Sequence, residues 1–133
     1  MHVLSASSAS DIEDAFKSLV QLGVGALAVQ VDPFLSGQFA QVVAGAGRNA
    51  VPAVYRWPEA PAAGGLMSYG PAFADTYQQS GVYAGRILKG DKPADLPIQQ
   101  VERIEFVINL KTAKALGITI PAGLLARADE VIE

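Results

Sequence analysis

The sequence predicts an α/β fold: a mostly parallel sheet with flanking helices. Three observations lead there. Short apolar runs recur along the chain, each closed by a turn bearing proline or glycine. Between them lie stretches whose apolar residues repeat every three or four positions, the period of a helix face. The two kinds of segment alternate at a spacing that βαβ units need. The chain has 133 residues, of which 50% are hydrophobic and 17% charged. That suits one packed domain.

Each element has its own reason. Val3 to Ala6 reads as a short extended stretch. Ser10-Asp11-Ile12-Glu13 resembles a capping box, in which the hydroxyl and the glutamate each satisfy an orphan N–H. Ile12, Phe16, Leu19 and Val20 then share a helical face, and Gly23 is a natural stop. Ala26 to Val31 is a buried strand that ends in the Asp32-Pro33 turn. A second helix is expected from Ser36, with Phe39, Val42, Val43 and Ala46 inward and Gly47 closing it. Val51 to Tyr55 is the next strand, with Pro52 tolerated near its start. Arg56 to Gly64, which holds Trp57, Pro58 and Pro61, is a loop.

Gly65 to Tyr69 reads as another short strand. Gly70-Pro71 follows, with Pro71 suited to the first turn of a helix. Phe73, Tyr77, Gly81, Ala84 and Leu88 repeat at helical spacing down to Gly90. Asp91 to Pro97 is a polar connector. Beyond it the period changes to two: Ile104, Phe106 and Ile108 alternate with Glu105 and Val107, as a half-buried strand does. Asn109 is placed to cap a short helix through Leu116. Pro121 opens a last helix, whose Leu124, Leu125, Ala128 and Ile132 share a face.

Composition removes many functions. The 10 Lys and Arg residues against 13 Asp and Glu give a net charge of −3. No basic stripe is present to displace counterions from phosphate, so nucleic acid is not an expected partner. The absence of cysteine excludes thiolate metal sites, disulfides and Cys nucleophiles. The single histidine, His2, sits by the terminus, which argues against histidine metal sites and Ser-His-Asp triads. No apolar run reaches the length of a membrane span. Met1 to Ser5 lacks the basic segment, apolar region and cleavage site of a secretion signal.

In open α/β sheets, ligands bind beyond the carboxyl ends of the strands. That rule selects Asp32 after the first apolar strand, Tyr55, Arg56 and Trp57 after the second, and Ser68, Tyr69 and Gly70 after the third. Asp32 would pair with a ligand ammonium, or it simply shapes the turn before Pro33. Tyr69 or Trp57 would stack on a ligand. Trp57 reads equally as a plug over the core, and Arg56 as a solvated hinge residue. The free N–H groups after Gly70-Pro71 suit a carboxylate. An amino-acid zwitterion would use both kinds of polar group.

Three stretches carry a resemblance. They are Gly64-Gly65-Leu66-Met67-Ser68-Tyr69-Gly70-Pro71, Ile87-Leu88-Lys89-Gly90-Asp91-Lys92-Pro93-Ala94-Asp95-Leu96-Pro97, and Ile108-Asn109-Leu110-Lys111-Thr112-Ala113-Lys114-Ala115-Leu116-Gly117-Ile118-Thr119-Ile120-Pro121. With the tail Leu124 to Ile132 they resemble the C-terminal part of ABC-transporter substrate-binding proteins of the type I periplasmic-binding fold, a group that includes aromatic amino-acid binders. Its members are two-lobed and more than twice this length.

The resemblance implies a partial lobe, with 1–64 and 98–133 forming the C-terminal-lobe portion. Residues 65–97 would be a crossover strand and helix packed on the N-terminal lobe, which this chain lacks, and the strand from Ile98 to Ile108 would return. It implies a small organic solute such as an amino acid, an ABC permease as partner, no catalysis, no cofactor and work outside the cytoplasmic membrane. The chain as written carries no leader, which would leave a complete product in the cytoplasm. Without its lobe, the 72–89 helix is expected to pair two copies as a homodimer. Two alternatives stay open. One is a small cytoplasmic α/β enzyme using Asp32, Asp75 or Glu59 as base. The other is a homodimeric interaction domain without ligand.

Overall fold

The structure, a computed structural model, describes residues 1–99 and 103–133. Val3 to Ala6 is not a strand: the segment lies unpaired and mostly exposed. The first helix, α1, spans Ala9–Gln21 and starts earlier than the Ser10 cap implied. Ser8 is its N-cap, and Asp11 rather than Glu13 closes the capping box. The Asp11 carboxylate accepts from the Ser7 N–H at 2.9 Å, the Ser7 hydroxyl at 2.9 Å and the Ser8 N–H at 3.0 Å. These bonds, the Ser7 backbone foremost, favour its charged form and hold its pKa down to about 2.

Strand β1 is only Leu27–Ala28, shorter than the apolar run. It stops because Asp32 caps a new helix, α2 (Pro33–Gly37), with Pro33 in its first turn. Gln38 then separates α2 from α3 (Phe39–Arg48). The single helix expected from Ser36 is thus two. Strand β2 (Ala53–Tyr55) follows, then β3 (Met67–Pro71). Pro71 ends β3 instead of opening a helix. Ala72 donates its N–H to the Arg103 carbonyl at 3.1 Å, which keeps the backbone extended one residue further.

Helix α4 spans Phe73–Leu88, and a short 3₁₀ turn follows at Pro93–Asp95. The returning strand β4 is Ile104–Asn109; part of the expected stretch from Ile98, residues 100–102, lies outside the described residues. Asn109 caps α5 (Leu110–Ala115), as the sequence predicted, through the Thr112 N–H. The last helix is a correction. α6 spans only Ala122–Leu125, and Glu130–Ile132 forms strand β5. Asp129 causes the change: its carboxylate accepts from the Phe106 N–H at 2.8 Å, while its own N–H donates to the Phe106 carbonyl at 2.8 Å. That clasp draws the tail into the sheet beside β4.

The five strands lie in the order β1-β2-β3-β4-β5, parallel except that β3 and β4 are antiparallel. An α/β fold with a mostly parallel sheet and flanking helices is therefore what the sequence makes. Two apolar clusters support it. One joins Ile12, Phe16 and Leu19 of α1 to Val42, Val43 and Ala46 of α3, over Ala53, Tyr55 and Trp57. Gly45 permits this crossing, since a Cβ there would collide with the Phe16 ring. The other gathers Leu66, Ile108, Ala113 and Ile120 beneath α5 and α6.

Helix α4 joins neither cluster. It has no buried residue, and on its expected inward face Tyr77 is 73% and Leu88 89% exposed. The returning chain runs along it: the Tyr83 hydroxyl donates to the Pro97 carbonyl, and Arg86 Nε bonds Asp91 Oδ2 at 2.7 Å.

One side chain links the parts of the second cluster. Asn109 is buried, its Nδ2 donates to the Pro61 carbonyl at 2.7 Å, and its Oδ1 caps α5 at 3.0 Å. Replacing Asn109→Ala loses the cap and one of the two donors to the Pro61 carbonyl, which the Gly64 N–H still meets at 3.0 Å. The expected cost is about 1–2 kcal/mol, read as a lowered midpoint in urea unfolding.

Candidate functional site

The parallel strands β1, β2 and β3 point their carboxyl ends to one edge of the sheet, and the seven selected residues lie at or near that edge. Asp32 is exposed there as the N-cap of α2. Its Oδ1 accepts from the N–H groups of Phe34 at 2.8 Å and Leu35 at 3.2 Å. Its other oxygen, Oδ2, takes no part in the cap. The Ser36 hydroxyl donates to the Asp32 carbonyl at 2.8 Å and accepts from Trp57 Nε1 at 3.1 Å.

Trp57 is thereby fixed. It is 7% exposed, and its ring lies 6.3 Å from that of Phe39 and 6.2 Å from that of Tyr55. The plug reading describes its position: its indole N–H is spent on Ser36, and its face on the core. Tyr55 and Ser68 are both about 1% exposed and sit opposite one another in register. Neither hydroxyl has a hydrogen-bond partner among the described residues. Burial pushes the Tyr55 phenol up to about 12. Gly70 is buried too, because β3 passes so close to the Arg56 backbone that a Cβ would collide with the Arg56 carbonyl.

Arg56 and Tyr69 differ from these. Each follows one step beyond the last paired residues, Tyr55 and Ser68, on adjoining strands. Tyr69, within β3, turns away from the face of the buried Ser68 hydroxyl, while Arg56 stands at the bend that ends β2. Both are exposed, Tyr69 by 58%. The Tyr69 ring is braced from behind: it meets Phe106 edge to face, with centroids 6.0 Å apart. Phe106 was invisible to the sequence reading as a site residue, because its place beside Tyr69 depends on the β3–β4 register. The edge thus offers a cation, a rigid ring and, on the α2 loop, a carboxylate oxygen. The cavity next to Tyr55 is ≈ 10 Å³, about one water in size.

The N–H groups expected after Gly70-Pro71 open instead at Ala72, the N-cap of α4, which has no side-chain cap. No group of acidic or histidine side chains among the described residues is arranged to hold a metal ion, and no helix among them is long and apolar enough to cross a membrane.

The sheet is thus a five-stranded α/β layer with exposed polar groups at its carboxyl edge and one helix that buries no residue. Residues 1–132 match the family described as ABC transporter substrate binding protein, and the chain belongs to that family. Among solved structures, an ABC domain in complex with L-Trp from Streptococcus pneumoniae is similar at 30% identity and TM-score 0.86, over 98% of this chain and 45% of that one. A conserved domain protein from Vibrio cholerae is similar at 25% identity and TM-score 0.85, over 95% and 42%. A ligand-free, open substrate binding protein with adhesive properties from Clostridium difficile shares the fold, at 21% identity and TM-score 0.63, over 96% and 42%. The chain spans less than half the length of each. No curated protein sequence matches it.

The two orphaned hydroxyls give a direct test. A buried polar group without a partner costs roughly 1–3 kcal/mol. Tyr55→Phe and Ser68→Ala are each expected to raise the melting temperature. A fall in either would show that the hydroxyl is satisfied in solution.

Proposed function

We propose that this chain supplies one wall of a solute-binding cleft and that a small organic solute, such as an amino acid, docks at the carboxyl ends of β1, β2 and β3 for delivery to an ABC permease. The exposed Arg56 and the braced ring of Tyr69, each one step past the paired Tyr55 and Ser68, carry the reading. Arg56 offers a guanidinium to a ligand carboxylate, Tyr69 a platform for the ligand's side chain, and Asp32 Oδ2 a partner for an ammonium. Tyr55, Trp57, Ser68 and Gly70 serve from beneath, by fixing the strand ends on which Arg56 and Tyr69 stand. Membership of the substrate-binding family supports a binding role over catalysis. The L-Trp held by the Streptococcus pneumoniae structure makes an aromatic amino acid the first solute to try. The site of action follows the family: outside the cytoplasmic membrane.

The second wall is proposed to be the part of the related structures that this chain does not span. On this division, 1–64 and 98–133 belong to the present lobe, while 65–97 carries the crossover. β3 stays in the sheet and α4 presents its bare face to the other lobe. Where that lobe is absent, the same face favours a homodimer through residues 72–89. Burying four or five apolar side chains is worth on the order of 5–10 kcal/mol before the entropy of ordering them. Light scattering on the isolated chain at high micromolar concentration is expected to give twice the monomer mass; monomer alone would count against this.

Half a cleft binds weakly, so the test must register weak binding. Titrating the chain with L-Trp, L-Tyr and L-Leu is expected to move the amide NMR signals of Arg56, Tyr69 and the Asp32 loop at millimolar ligand. Tyr69→Ala is expected to abolish those shifts while the chain stays folded, its melting temperature lowered only by the loss of the ring's contact with Phe106. Shifts confined to another face would remove the proposed site. Tight stoichiometric binding by a monomer would remove the half-cleft.

A further inference from the structure

The chain leaves the sheet at the end of β3 and comes back at the start of β4, and one residue touches both sides of that gap. The Arg103 carbonyl accepts from the Ala72 N–H at 3.1 Å, one step past the ladder pair Pro71 and Ile104. Its guanidinium lies between two carboxylates that belong to different bodies. Nη2 is 3.7 Å from Oε1 of Glu105, within β4, and Nη1 is 4.0 Å from Oδ2 of Asp75, in the first turn of α4. Helix α4 has no buried residue that would hold it to the sheet. Its fastenings to the chain that follows, Tyr83 to Pro97 and Arg86 to Asp91, join it to its own return segment. The step from Pro71 to Phe73 beside Arg103 is thus the place where helix and sheet can hinge.

We propose that Arg103 is a positioning residue, an electrostatic stay across this hinge that holds the α4 unit at a set angle to the sheet. The angle is a property of the chain itself. Its use, setting how far two walls of a cleft stand apart, rests on the function proposed above. The stay is built from partly exposed groups, with the three side chains 61%, 50% and 32% exposed for Arg103, Asp75 and Glu105. Such pairs are individually weak and yield to salt. A stay of this kind limits the range of the hinge without locking it.

The sequence has no cysteine, so two introduced ones label it uniquely. Gln78→Cys on α4 and Lys111→Cys on α5 are both at exposed positions and fall on opposite sides of the hinge. With spin labels there, and the labelled chain diluted into an excess of unlabelled parent so that only distances within one chain register, pulsed dipolar spectroscopy reads the distribution of distances between helix and sheet. The parent is expected to give a narrow distribution. Arg103→Gln is expected at least to double its width, Arg103→Lys to restore most of the narrowing, and salt near 1 M, where the screening length is about 3 Å, to widen the parent as the glutamine does. A glutamine variant that superimposes on the parent would overturn the proposal. So would a lysine variant as broad as the glutamine one, since charge would then not be the cause. Solute binding is read separately: unmoved amide signals on titration would defeat the function proposed above and leave the distance result standing.

Discussion

The antiparallel pairing of β3 with β4 is the constraint on which the rest of the molecule depends. Every other neighbour in the sheet is parallel and needs a crossover to return the chain, whereas an antiparallel pair does not. Between β3 and β4 the chain nevertheless makes a long excursion through α4 and its trailing segment. The pairing runs from Met67 with Ile108 to Pro71 with Ile104. It joins the half of the sheet under α1 and α3 to the half under α5 and α6. It also brings Asn109 to the Leu66 and Pro61 carbonyls, closing the loop that covers Tyr55. At its other end the same ladder puts Phe106 behind Tyr69 and makes the exit and re-entry of the chain adjacent. The core, the braced ring and the hinge are consequences of a single register.

Local chemistry made much of this legible. The apolar period found α1, α3 and α4, and Asn109 announced the cap of α5, because both signals act within a few residues. One failure was itself local, and the others came where a contact distant in sequence decided the outcome. Ser10 and Glu13 formed a plausible box, yet Ser8 and Asp11 made a better one, with Ser7 adding two more donors. The tail beyond Leu125 has helical spacing, but Asp129 exchanges two hydrogen bonds with Phe106, and no local pattern shows that exchange. Pro71 has the chemistry of a helix start, and the ladder partner that kept it extended is Ile104, 33 positions on by their numbers in the sequence.

The candidate site divides along the same line. The rule that ligands gather at strand carboxyl ends located the right edge of the sheet, since it needs only strand order and direction. It had no means of separating the two faces of that edge. Register does so: Tyr55, Ser68 and Gly70 turn into the core, while Tyr69 turns out and Arg56 is exposed at the bend that ends β2. Burial then sorts the aromatic residues, and Trp57 becomes part of the support under the surface that Tyr69 presents.

Trp57 is the one tryptophan of the chain, nearly enclosed, with its indole N–H bonded to the serine that also bonds the Asp32 carbonyl. Its excited state is sensitive to the polarity and order around it. The protein therefore carries an intrinsic optical probe wired to the very loop that bears Asp32. Displacement of that loop by half an ångström or so would loosen the indole's hydrogen bond and change the colour and lifetime of the emission, with no dye attached.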